Sequence, residues 1–275
     1  MAEWLPLVGI GLLLGVVLGL TGAGGSILAV PLLMAGLGWE VSRAAPLALT
    51  AVAVSAAYGA WMGWRQKLVR YRAAALMATT GLLCAPVGLW LAQHLSHRWL
   101  LGLFVLLMTV AAVRLWRQTL EAEVARGAVS AAGEDIDESI CRLNPGTGRL
   151  RWSSPCAAVL TVTGAFTGLL SGLLGVGGGF VLVPVLCQVT ELSIHSAVAT
   201  SLLFVTLVSS GGVIAAAVHG SLPPASQAAP FVASAVVGML LGQSFAPRLA
   251  GPGLQRAFAL VLLLIAATMA IREFH

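Results

Sequence analysis

Gly22, Gly24, Gly25 and Ser26 recur about 153 positions later as Gly175, Gly177, Gly178 and Gly179, each time deep inside an apolar stretch. Consecutive glycines that open a helix can do one kind of chemistry without a charged side chain. The first turn of a helix carries unsatisfied N–H groups and about half a positive charge, so it attracts anions. Glycine at that point lets a ligand approach the backbone closely. Gly24, Gly25 and Ser26 are expected to open one half-helix, and Gly177, Gly178 and Gly179 a second, with the N-termini converging on one anion. Hydroxyls beside the breaks, on Thr21, Ser26 and Ser171, can supply further donors.

Other chemistry is poorly supplied. There is no His/Cys cluster with metal spacing and no nucleophile beside an obvious base, so no catalytic residue, metal or cofactor is expected. Gly22-x-Gly-Gly with Glu40 downstream invites a dinucleotide-binding reading, but no strand and crossover helix surround it and Pro31 interrupts the helix it would need. His195 and His219 read as interfacial side chains. Cys84, Cys141, Cys156 and Cys187 show no paired spacing and read as small structural residues. Charged residues such as Glu40, Arg43 and Glu191 fall near the ends of apolar spans, so a buried carboxylate relay is not expected. An anion driven by the membrane potential needs none, since one charge crossing 100 mV is worth about 2.3 kcal/mol.

The elements that must position these groups are membrane helices. Of 275 residues 59% are hydrophobic and 9% charged, with a mean hydropathy of +0.96, against roughly 25% charged residues in soluble domains. The net charge of +5 resides in loops between apolar spans, where topology explains it without a nucleic-acid partner. The predicted fold class is an all-α polytopic membrane protein with two homologous repeats, each a Gly-broken helical segment followed by three transmembrane helices. Repeat 1 covers 1–116, a cytoplasmic linker loop 117–154, and repeat 2 155–275. Gly15/Gly168, Gly19/Gly172 and Pro31/Pro184 keep the same register.

The broken stretches run over about 4–39 and 155–189, each too long for one span of roughly 20 residues and too short for two, so half-length helices meeting at the glycines are predicted. Simple spans follow at about 44–64, 73–93, 99–116, 196–218, 228–246 and 254–271. The N-terminus lacks the basic region of a cleaved signal and is expected to persist. Gly15-x-x-x-Gly19 and Gly168-x-x-x-Gly172 read as close-packing faces between helices. The linker, with its acidic run at 134–138 and the turn residues Asn144 to Gly148, reads equally as a small hairpin or a flexible connection. Arg65, Lys67, Arg70 and Arg72 crowd one loop, and Arg114, Arg117, Arg126, Arg142, Arg149 and Arg151 crowd the linker region, which places both in the cytoplasm. Treating each broken stretch as a hairpin puts fewer basic residues outside than treating it as a crossing, and makes the repeats inverted.

The run Gly172 to Leu186 (GLLGVGGGFVLVPVL) with His195 to Leu202 (HSAVATSL) resembles the TauE/SafE family of membrane proteins, also called the sulfite exporter family. The resemblance implies a multi-pass protein of the bacterial inner plasma membrane that exports small sulfur-containing anions such as sulfite or organosulfonates. It also implies that Gly175, Gly177, Gly178 and Gly179 and the pair Thr200 and Ser201 belong to the substrate site. In the first repeat Ser26 stands where a third glycine is common, and Leu47-Ala48 where Thr-Ser would be. The partners implied are a small anionic substrate and the lipid bilayer, with the oligomeric state open. Rival readings are an anion channel, a carrier of a non-sulfur organic anion, and an assembly protein whose glycines serve packing alone.

Overall fold

The computed structural model describes residues 4–128, 141, 153–218, 220, 222–249 and 252–274. The expected turn at Asn144 to Gly148 and the side chain of His219 lie outside the described residues. The elements are α1 (Trp4–Thr21), a 3₁₀ segment (Gly22–Leu28), α2 (Ala29–Leu37), α3 (Val41–Arg65), α4 (Tyr71–His94), α5 (His97–Ala128), α6 (Ser154–Leu174), α7 (Gly179–Val189), α8 (Ile194–Val218), α9 (Ala225–Leu249) and α10 (Pro252–Phe274). Among the described residues six helices are long and apolar enough to cross a bilayer, and α3 is the most enclosed of them, with 61% of its apolar window buried. An all-α polytopic membrane protein is what this describes. Exposed Trp61, Trp64, Trp90 and Trp99 near helix ends suit the bilayer interface.

Glycine decides which helices meet. A β-carbon on Gly11 would lie 2.7 Å from the Phe231 carbonyl oxygen, and one on Gly19 would lie 2.8 Å from the Gln243 nitrogen, so α1 and α9 run parallel in backbone contact. In the same way Gly164 faces the Met77 carbonyl oxygen at 2.5 Å and Gly172 faces Ala85, so α4 and α6 run parallel. Gly15 against Ala235 and Gly168 against Gly81 leave no room for any side chain. Lipid tails are as apolar as Leu, so association in a bilayer rests on this kind of close backbone approach. The center of the bundle is the α3–α8 pair. There Gly63 meets Ala199, Gly59 meets Leu202 and Gly212 meets Leu49, an order that makes the two helices antiparallel.

Each broken stretch folds back on itself. In the first, Gly36 near the end of α2 packs on Ile10 of α1, with the Ile10 Cδ1 2.6 Å from a β-carbon built on Gly36. In the second, Cys141 joins both ends: its N–H donates to the Val189 carbonyl (3.0 Å), the Glu191 N–H donates to its carbonyl (3.4 Å), and its sulfur is bonded to Cys156. The cysteine expectation is corrected here, because the Cys141–Cys156 disulfide pairs residues 15 apart whose meeting depends on how α6 and α7 return to one side. The expectation of half-length helices is also corrected. The entering arms α1 and α6 have 18 and 21 residues, the returning arms α2 and α7 only 9 and 11. The entering arms are long because each lies along a glycine-matched partner for most of its length.

Candidate functional site

The two breaks differ in backbone. After Thr21 the chain tightens into the 3₁₀ segment Gly22–Leu28 and passes into α2 without an extended residue, Leu28 itself being helical (φ −84°, ψ −14°). Gly22 is left-handed there (φ +72°), whereas the second break holds a run of such glycines. Gly175 caps α6 in the left-handed conformation and donates to the Ser171 carbonyl (2.8 Å), and Gly177 and Gly178 follow at φ +75° and +67°. L side chains rarely adopt that region, so glycine is required at both. Gly178 is the N-cap of α7 and, having no side chain, brings no side-chain hydrogen bond to its first turn.

The structure brings the breaks together inside protein. The 3₁₀ segment packs against α7 and α8. Ile27 and Leu28 from the first break and Leu173, Leu174 and Val176 from the second share one buried apolar cluster with α5 and α10. On its other side the second break meets the α3–α8 crossing. A β-carbon on Gly177 would lie 2.9 Å from Ser209 Oγ, 3.5 Å from Val205 Cγ1 and 3.6 Å from Val52 Cγ1. Val52 and Val205 sit near the middle of their 25-residue helices, so the break lies level with the middle of both.

Each residue singled out in the sequence now has a place. Gly22 abuts Val198 of α8, whose Cγ1 would be 2.5 Å from an added β-carbon, and Gly25 abuts the Leu18 backbone at 2.5 Å. Gly24 lies between them in the 3₁₀ segment and Gly179 opens α7. Gly175 faces Ala45 Cβ at 2.7 Å and Gly178 the Thr167 carbonyl oxygen at 2.6 Å. Ser26, Ser171, Thr200 and Ser201 are buried. Three of the hydroxyls donate within their own helices: Thr21 to the Val17 carbonyl (2.7 Å), Thr200 to the Ser196 carbonyl (2.6 Å) and Ser201 to the Val198 carbonyl (2.8 Å). Thr200 Oγ1 also accepts from the Arg70 backbone N–H (3.1 Å), which ties the α3–α4 turn to α8.

Sequence reasoning passed over other polar groups. Ser55 on α3 and Ser209 on α8 are 1% and 0% exposed, and neither hydroxyl has a hydrogen-bond partner. The one sequence cue is a hydroxyl residue in mid-span, Ser55 among alanines and Ser209 beside Ser210, weaker than the charge sought there. Among the described residues no group of three or more His, Cys, Asp or Glu could hold a metal ion.

A family profile described as "Sulfite exporter TauE/SafE" matches residues 7–269. A "Probable membrane transporter protein" of Xylella fastidiosa strain 9a5c is 32% identical over 267 residues, covering 94% of this chain and 92% of its own. Its counterpart in strain Temecula1 is also 32% identical, over 269 residues with the same coverage. The "Probable membrane transporter protein MamO" of Paramagnetospirillum magneticum is 33% identical over 155 residues, covering 52% of this chain and 24% of its own. No solved structure matches. With glycine breaks buried at the center of a helical bundle and a family match spanning nearly its whole length, the chain belongs to the sulfite exporter TauE/SafE family of membrane transporters.

Proposed function

We propose that this transporter is a secondary carrier that exports small sulfur-containing anions, sulfite or organosulfonates, across the bacterial inner membrane, and binds them at the glycine breaks. The observation that carries this reading is the glycine run of the second break: the N-terminus of α7, without a side-chain cap, buried beside α3 and α8. Amides of Gly177, Gly178 and Gly179 are its principal donors. Gly22, Gly24, Gly25 and Ser26 belong to the 3₁₀ segment that packs against α7 and complete the site in this reading, and Gly175 with Ser171 sets the angle of entry. Thr21, Thr200 and Ser201 line the surroundings and reach the anion only by giving up their helix carbonyls.

The two halves form inverted repeats in this reading, and alternating access rocks one against the other. Support comes from the antiparallel run of α3 and α8, which hold equivalent places in their halves, and from the exchanged pairing of α1 with α9 and α6 with α4. The test is flux into proteoliposomes loaded with the purified full-length protein. Sulfite or taurine uptake should saturate at modest turnover, and Gly178→Val should abolish it in protein that still elutes as a single species. Uptake equal to that of protein-free vesicles would end the reading.

A further inference from the structure

Ser209 Oγ lies 2.9 Å from where a β-carbon of Gly177 would stand, fully buried and without a hydrogen-bond partner. Serine hydroxyls inside helices ordinarily bond the carbonyl one turn back. Ser201 and Ser234 of this chain do so, and Ser209 does not. A buried hydroxyl left unpaired costs free energy that a bound acceptor would recover. Ser55 has the same property. It lies three residues beyond Val52, which faces the break, so Val52, Ser55, Gly59 and Gly63 form one face of α3. Along that face, Gln243 Nε2 is 3.1 Å from a β-carbon built on Gly59, and Gln243 Oε1 is another buried atom without a partner. The face ends at Gly63, beside Val69 and Ala199, where the next residues of each helix and turn bring the Arg70 backbone to Thr200. Arg70 Nε is buried there and unbonded as well.

We infer that Ser209 and Ser55 are anion-binding residues of the site, and that the α3 face from Ser55 past Gln243 to Arg70 is the polar track by which the anion reaches it. The substrate class rests on the reading above; the track rests on the unpartnered groups alone. An oxyanion presents only acceptors, and Ser209, Ser55 and Arg70 supply donors whose protons nothing else uses. The Gln243 amide nitrogen adds a further donor facing Gly59. The cationic end of the track lies at the turn bearing Arg65, Lys67, Arg70 and Arg72, which gathers anions at its mouth.

The test uses full-length protein in which Cys84 and Cys187 are replaced by Ser. Ser209→Cys and Ser55→Cys are exposed to an anionic methanethiosulfonate reagent, with Met77→Cys, equally buried but facing α6, as control. Both track cysteines should react at least about tenfold faster than the control, and methanesulfonate should slow them. Ser209→Ala should not lower the melting temperature of the ligand-free protein, and should weaken methanesulfonate binding about tenfold, as loss of a hydrogen bond to a charged group does. Track cysteines no more reactive than Met77→Cys would overturn the inference whatever the substrate. Fast reaction that methanesulfonate leaves unchanged would uphold the track and remove the sulfonate reading.

Discussion

At the scale of the residue, what matters is whether a glycine is held by its conformation, by a neighbor, or by neither. Gly178 is held by both, with φ at +67° and the Thr167 carbonyl oxygen where a β-carbon would go. Gly178→Val therefore forces the break to open or α6 to retreat, and sulfite flux should fall to background. Gly102 on α5 has nothing within 4 Å of an added β-carbon and lies in helical conformation. Gly102→Ala should leave flux unchanged and stabilize the helix by up to about 1 kcal/mol, measured as a small rise in melting temperature. Flux retained in Gly178→Val would remove the break from the transport path.

At the scale of the element, two contacts hold the second hairpin. Gly168 lies against the Gly81 backbone, so α6 sits on α4 with no side chain between them. Gly168→Val must separate these helices at a cost of about 3 kcal/mol or more, the upper range for overpacking, and the thermal midpoint should drop accordingly. The Cys141–Cys156 bond ties the linker to the start of α6, while backbone bonds tie it to the end of α7. Closing a loop of this length is worth about 3 kcal/mol in chain entropy. Cys156→Ser should cost about that much in oxidized protein and nothing in protein kept under reductant. A loss that persists under reductant would move the effect to the packing of Cys156, which is buried.

At the scale of the whole molecule, the helix directions place both described chain ends on one face and the linker on the other. α1 starts where α2 ends, α3 and α8 run oppositely, and α10 follows α9 back across. The basic turn between α3 and α4 shares the linker face, and from the excess of Arg and Lys we propose that this face is cytoplasmic. A phosphatase fused after α10 should then be active, and one fused after Ala128 inactive; the reverse pattern would turn the molecule over. With the linker face inside, the Cys141–Cys156 pair meets a reducing compartment, where disulfides are rare in mesophiles. The pair should be alkylated as thiols in freshly lysed cells and recovered as the disulfide after purification in air.

The sequence by itself determined the fold class and the position of both breaks, because these depend on hydrophobic length and on glycines that no other residue can replace. It also marked Gly15, Gly19, Gly168 and Gly172 as packing faces, since their spacing is the spacing of one helix face. Three things were decided only in three dimensions. The first break formed a 3₁₀ segment and the second a run of left-handed glycines, a difference that local glycine content, nearly the same in both, does not carry. Cys141 met Cys156 because α6 and α7 return to one mouth. Ser55 and Ser209 became unpartnered hydroxyls beside the break because α3 and α8 cross there in opposite directions, and a side chain's lack of partners belongs to its surroundings and not to its own position in the chain.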